Sequence, residues 1–206
     1  MNHYFSSNPS VSSERRTIDL VLPDVSLRLT TDRGMFSADR VDAGSKLLLL
    51  DGPSPVTGDR VLVDVGAGYG PLALTLAARN PEATVWAIEV NVRARDLCEK
   101  NAAANGLSNV RVGAPEDVPH DLVVDRIWAN PPIRIGKTAL HELLDGWLGR
   151  LGPSGSAHLV VQKHLGADSL AARLAAQGWL VHRRTSKKAF RLLDVSRPPE
   201  TGEVAR

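Results

Sequence analysis

Cysteine is almost absent from this 206-residue chain, which has only Cys98. A single thiol excludes an internal disulfide and any cysteine-rich metal site. Cys98 follows Leu97 in a helical pattern and reads as a small core residue. Aromatic residues are scarce as well, at 4 %. That argues against a broad stacking platform for single-stranded nucleic acid. No apolar run approaches the ~20 residues that a membrane helix needs. The opening MNHYFSSNPSVSSERR lacks the apolar core of a signal peptide, so a cytoplasmic address is expected. Net charge is small, +2, with an isoelectric point of 8.9. Such a balance permits an anionic partner without demanding one.

What is present fits a globular protein: 43 % hydrophobic and 23 % charged residues. The length suffices for one domain with a small extension. TIDLVL (17–22) and VSLRLTT (25–31) read as two strands joined at Pro23-Asp24, a hairpin. A short helix ends GMFSADRVDAGSKLLLL, and DGPSPVTGD (51–59) is a turn-rich linker. From Arg60 strands and helices alternate. RVLVDV, TVWAIEV, NVRVG, DRIWA and SAHLVVQ are strands. PLALTLAARN, VRARDLCEKNAAANG, TALHELLDGWLGRLG and SLAARLAAQG are helices. In the third helix Leu140, Leu143, Leu144, Trp147, Leu148 and Leu151 recur at helical spacing. WLVHRR and AFRLLDV close the series with only TSKK between them.

The expected fold class is therefore α/β: a doubly wound, seven-stranded, mostly parallel sheet with an antiparallel last strand. Residues 1–58 form an N-terminal extension of hairpin and short helix, packed on a main domain at 59–196. Residues 197–206 are expected to be a disordered tail.

VDVGAGYGP follows the first parallel strand and opens a helix. Glycines at 66, 68 and 70 let a backbone approach a ligand closely. A dinucleotide fingerprint places its third glycine one position later, where this chain has Pro71. A purely structural turn is the competing reading. The tight G-x-G-x-G form, with Asp64 two residues before it, resembles the first motif of S-adenosylmethionine-dependent methyltransferases. That resemblance implies a cofactor loop of Asp64, Gly66, Ala67, Gly68 and Gly70, holding the methionine and ribose part. Glu89 ends the second strand, about the ~20 residues on at which a ribose acid is expected. Its two oxygens can accept both ribose hydroxyls; a capping or surface acid is the alternative. Asn91 is either a helix N-cap or a second polar contact to the cofactor. After the third strand many relatives of this kind carry an acid that bonds adenine. Here Ala114 stands in that place, so its backbone groups, or Glu116 or Asp117, would substitute, unless the loop is simply solvated.

WANPPIRIGK (128–137) ends the fourth strand on an asparagine followed by two prolines. Alone, Asn-Pro-Pro usually marks a turn. Ligands of open α/β sheets bind beyond the carboxyl ends of the strands. The glycine loop and Asn130-Pro131-Pro132 should thus face one crevice. The combination resembles amino-group methyltransferases of the N-P-P-(aromatic) type. The fuller NPPIRIGK is similar to the small RsmC-like ribosomal RNA guanine-N2 methyltransferases, of class I. So are HYFSSNP, GMFS…DAGSKLLL and VVQKHLGADS, and the likeness runs from residue 3 to about 195.

The resemblance implies that Asn130 and the Pro131 carbonyl accept the two N–H bonds of an exocyclic base amine, with Pro132 stiffening the loop. Ile133 stands where an aromatic is usual and offers only an apolar face. Stacking on the base would come from elsewhere, with Phe36 as the candidate. Arg134 and Lys137 either hold the phosphate or O6 of a guanine nucleotide or are surface charges. Lys163 and His164 should lie near the same sheet edge. HRRTSKKAFR (182–191) is either a solvated hairpin or a track for RNA phosphates.

The expectation is methyl transfer from S-adenosylmethionine to a guanine N2 in 16S ribosomal RNA. The partner is ribosomal RNA or the small ribosomal subunit, with no metal and no membrane. Adenine-N6 methylation, protein glutamine-N5 methylation and a non-catalytic RNA-binding module that retains the fold are the alternatives.

Overall fold

The computed structural model describes residues 12–33, 39–132, 135–187 and 189–199. The chain opens on an antiparallel hairpin, β1 (Arg15–Val21) and β2 (Ser26–Asp32). Leu20, Leu22, Leu27 and Leu29 are buried while Arg28 and Val21 face out. That is the period-two alternation of a strand covering a core on one face. The helix α1 (Ala43–Asp51) follows, capped by Asp42, which accepts from the Gly44 and Ser45 amides.

The strands β3 (Val61–Val65), β4 (Thr84–Ile88), β5 (Val110–Gly113), β6 (Val124–Ala129) and β7 (Leu151–Gln162) run parallel. The helices α2 (Pro71–Arg79), α3 (Val92–Ala104) and α4 (Lys137–Leu148) connect them, and α5 (Ala167–Ala176) follows β7. The last two strands are β8 (Leu180–Lys187) and β9 (Phe190–Ser196). Strand order is β5-β4-β3-β6-β7-β9-β8. β9 inserts between β7 and β8 and is antiparallel to both, so the one reversed strand lies next to the edge.

Two apolar clusters occupy the two faces of this sheet. One joins the hairpin leucines to α1, α2, α3 and Trp128. The other joins Val63, Ile127 and Leu159 to α4 and α5. The extension therefore shares its core with the main domain.

Three details differ from the sequence reading. Leu151 belongs to β7, not to the preceding helix: α4 ends at Leu148 and Gly149, and Leu151 pairs with Val124. Thr185, Ser186 and Lys187 belong to β8, which takes up most of the expected connection. Arg197, assigned to the tail, donates to the carbonyls of Leu151 and Gly149 and lies over the Trp179 ring. These contacts at the α4–β7 junction hold it in place. Residues 200–206 lie outside the described residues.

The chain enters the sheet in the middle, at β3, winds outward to β5, then returns to the other flank of β3 as β6. This reversal is the topological switch point at which open α/β sheets bind ligands. Val65 and Ala129 are direct register partners there. The next residues, Gly66 and Asn130, consequently leave the sheet side by side.

Candidate active site

Above β3 the chain turns sharply. Gly66, Gly68 and Gly70 have φ of 82°, 58° and 102°, a region that L side chains avoid. The Gly66 and Ala67 amides bond the Ile88 carbonyl at 2.8 and 2.9 Å, fixing the loop to the end of β4. The three glycines do different work. A Cβ on Gly70 would meet Cys98 Sγ at 2.8 Å, so its lack of side chain serves packing. A Cβ on Gly68 would meet nothing within 4 Å, and one on Gly66 only Pro132 Cδ at 3.8 Å. Those two present open backbone to the crevice. Cys98 is fully buried behind the loop, where burial raises its thiol far above the usual range.

Asp64 is buried beneath the loop. Its Oδ2 accepts the Ala73 amide at 2.9 Å, one of the orphan donors at the start of α2. Its Oδ1 has no partner among the described residues. Burial pushes this carboxyl up to about 8, and the charges of Glu89 and Asp42 push the same way. Glu89 stands at the end of β4 and faces the loop. Its Oε2 accepts the Gly68 amide at 2.9 Å and its Oε1 the Asn91 amide at 2.9 Å. Burial raises its pKa, against the pull of those two amides. Each oxygen retains capacity for a further donor.

Asn91 caps α3, its side chain accepting from the Ala94 amide at 3.1 Å. Of its two readings, that is the capping one. Ala114 is buried, and its amide donates to Asp117 Oδ2 at 2.7 Å. Asp117 thus turns back onto Ala114.

Asn130 is half-buried beside the loop. Its Nδ2 donates to Asp42 Oδ1 at 2.8 Å and to Ser45 Oγ at 3.2 Å. Pro131 is buried, and the Pro132 carbonyl accepts the Ile135 amide at 3.0 Å, closing a turn. Gly136, with φ of 94°, then starts α4. Lys137 is exposed on the first turn of α4, and Lys163 is half-buried just beyond β7. Lys137 thus follows the carboxyl end of β6 and Lys163 that of β7. Phe36, Ile133 and Arg134 lie outside the described residues.

The basic hairpin is met by acids from within the chain. Arg183 and Arg191 reach Asp168 at 2.7 and 3.5 Å, Arg184 reaches Asp194 at 2.8 Å, and Lys187 reaches Asp51 at 2.6 Å. Each of these four cations thus has an acidic partner within the chain. Among the described residues no group of three or more His, Cys, Asp or Glu could hold a metal ion, and no helix is long and apolar enough to cross a membrane.

Two residues escaped the sequence reading. Asp42 shows a helix-cap signal, but nothing local reveals its contact with Asn130, 88 positions away. Phe190 is the second. A Cβ on Gly44 would meet Phe190 Cε1 at 3.0 Å and Asn130 Nδ2 at 3.4 Å, so an aromatic edge and the amide flank one point.

The sequence matches the methyltransferase small domain family over residues 26–193. The chain belongs to that family. It is 37 % identical over 175 residues to the uncharacterized protein YbxB of Bacillus subtilis (strain 168), covering 84 % of this chain and 87 % of that protein. It is 26 % identical over 176 residues to the ribosomal RNA large subunit methyltransferase G of Shewanella amazonensis, covering 81 % of this chain and 45 % of the relative. Among solved structures it superposes with a TM-score of 0.73 on the T. thermophilus 16S rRNA N2 G1207 methyltransferase RsmC in complex with AdoMet and guanosine. That match has 26 % identity and covers 92 % of this chain and 52 % of the other. The chain spans about half the length of these two ribosomal RNA methyltransferases. The fold described above is therefore shared with that solved structure over nearly all of this chain.

Proposed function

We propose that this chain methylates the exocyclic N2 amine of a guanine in small-subunit (16S) ribosomal RNA, with S-adenosylmethionine as donor. The observation that carries the reading is the orientation of Asn130. Its amide nitrogen is engaged by Asp42 and Ser45, which leaves Oδ1 as the end that can accept a substrate N–H.

The donor set suits the cofactor. Gly66 and Gly68 offer open backbone, and Glu89 keeps acceptor capacity for two ribose hydroxyls. Asp42 and Glu89 lie close enough to act on the protonated Asp64 carboxyl, and their acidic oxygens suit the neighbourhood of a cationic sulfonium. When bound, S-adenosylmethionine supplies an electrophilic methyl carbon on a cationic sulfur.

A base amine is a poor nucleophile because its lone pair is delocalised into the ring. Asn130 Oδ1 and the Pro131 carbonyl would take its two N–H bonds from positions off the ring plane. That favours a tetrahedral nitrogen with its lone pair free to attack. The two prolines fix the acceptors in advance, so little reorganisation accompanies transfer. The nitrogen gains the methyl group and the positive charge as the carbon–sulfur bond breaks. It then loses a proton readily, so no strong general base is required. Phe190, whose ring edge flanks the same point beside Gly44 as the Asn130 amide, would supply an aromatic face for the base in place of Ile133.

Mapping of methylated guanines in ribosomal RNA from cells with and without the chain tests the proposal. One N2-methylguanine missing from small-subunit RNA in the deficient cells is the expected result. A lost mark in large-subunit RNA would support the second reading, which rests on the large-subunit relative. Unchanged ribosomal RNA would overturn both.

A further inference from the structure

We infer that Asp42 is a positioning residue for the reaction, orienting and polarising the Asn130 carboxamide from the N-terminus of α1. The inference rests on the reading of Asn130 as acceptor of the target amine.

A carboxamide has two ends of similar shape and opposite hydrogen-bonding character, and free rotation would present the wrong end half the time. Here the choice is made by chemistry. Asp42 Oδ1 receives three donors: the Gly44 amide at 2.8 Å, the Ser45 amide at 3.0 Å and Asn130 Nδ2 at 2.8 Å. A carboxylate oxygen can only accept, so the amide end facing it must be the nitrogen. Ser45 Oγ, buried at the same helix start, takes a second bond from that nitrogen at 3.2 Å. Asn130 Oδ1 is thereby turned away from α1, and among the described residues none donates to it.

Two further observations support the arrangement. Gly44 makes the approach possible: a Cβ there would lie 3.1 Å from Asp42 Oδ1, 3.4 Å from Asn130 Nδ2 and 3.0 Å from the Phe190 ring. The helix start also fixes Asp42, since its oxygen is held by two backbone amides before it meets Asn130. A bond from Nδ2–H to a carboxylate draws electron density through the amide onto Oδ1. That makes Oδ1 a stronger acceptor as positive charge develops on the attacking nitrogen. The extension thus contributes to the reacting centre.

The test separates capping from orientation. Serine caps a helix about as well as aspartate but its hydroxyl is too short to bridge to Asn130. Asp42→Ser, Asp42→Asn and Asn130→Ala would be assayed for methyl transfer to small ribosomal subunits and deproteinised ribosomal RNA from cells lacking the chain. S-adenosylmethionine affinity and melting temperature would be measured alongside. Asp42→Ser should lower kcat by about tenfold or more, with cofactor affinity and melting temperature near wild type. Asp42→Asn retains an acceptor oxygen at the same place and should recover most of that loss. Equal kcat in wild type, Asp42→Asn and Asp42→Ser, with Asn130→Ala inactive, overturns the orienting role alone. Full activity of Asn130→Ala overturns the acceptor reading beneath it. If Asp42→Ser melts early, Asp42→Asn decides: kcat restored close to wild type at a wild-type melting temperature supports the orienting role, and kcat that falls in step with cofactor affinity marks a structural one and overturns it.

Discussion

Asn101 holds Thr30 by both ends of its carboxamide. Its Oδ1 accepts the Thr30 amide at 2.7 Å, and its Nδ2 donates to the Thr30 carbonyl at 2.9 Å. The same Nδ2 donates to the Tyr69 carbonyl at 2.9 Å. One buried side chain on α3 therefore ties the N-terminal hairpin to the glycine loop.

Asn101→Ala strands three backbone groups at once. A buried group left unpaired costs about 1–3 kcal/mol; with the Tyr69 carbonyl buried and the two Thr30 groups only partly so, a loss of roughly 2–4 kcal/mol in unfolding free energy is expected. Urea denaturation measures it. Cofactor affinity should fall too, because Tyr69 lies inside the loop; an intact affinity would show that the loop needs no help from α3.

Asn130→Ala should lower kcat by about 10²–10³-fold, the range seen on removing one transition-state hydrogen-bonding group. Affinity for S-adenosylmethionine, measured by calorimetry, should be almost unchanged, since the cofactor contacts are assigned to Glu89 and the glycines.

Glu89→Gln acts on the other half of the site. The new NH₂ would oppose either the Gly68 or the Asn91 amide, each now bonded at 2.9 Å. Charged hydrogen bonds contribute about 1.5–3 kcal/mol, so the cofactor Kd should rise roughly 10- to 100-fold. Methyl transfer at saturating cofactor should be close to normal.

Gly68→Ala and Gly70→Ala should fail in different ways. At Gly68 there is room, so folding suffers only the strain of a positive φ while the methyl group obstructs the crevice. At Gly70 the methyl group meets Cys98 and Leu74, and the melting temperature should fall further. Adding Cys98→Ala to Gly70→Ala should recover part of that loss; thermal melts of the three variants check it.

Asp64 sets a pH dependence. Burial raises its pKa from 3.8 in the unfolded chain to about 8 in the fold. The native state then holds a proton that the unfolded chain releases. Its stabilising contribution is complete below about 3.8 and is lost as pH rises toward about 8. Urea midpoints of wild type and Asp64→Asn across this window should diverge, with wild type losing ground as pH increases. Parallel curves would remove Asp64 from the account.

The strand–helix alternation was legible because β3 to β6 are short apolar runs punctuated by glycine, proline and asparagine. The reversed strand was legible too, since WLVHRR and AFRLLDV leave no length for a crossover. Leu151 was misplaced because its spacing continues the apolar stripe of α4, while its fate depends on Val124 across the sheet. Asp64, Glu89 and the glycines sit where strand ends dictate, so their convergence could be anticipated. The link between Asp42 and Asn130 could not: a cap residue looks the same from its neighbours whether or not a distant amide reaches it. The pairing of Arg183, Arg184 and Lys187 was hidden for the same reason, because their acids come from α5, β9 and α1.

The alignment of Val65 with Ala129 has a wider implication. Successive side chains along a strand point to opposite faces, at ~3.3 Å per residue. Deleting one residue inside β6 would turn the asparagine to the reverse face while leaving every atom of its own tripeptide intact. Lengthening the α3–β5 connection would leave the alignment untouched. A change of length inside these strands would therefore undo the site while one in the connections would not, and the motif is only as good as the ladder that delivers it.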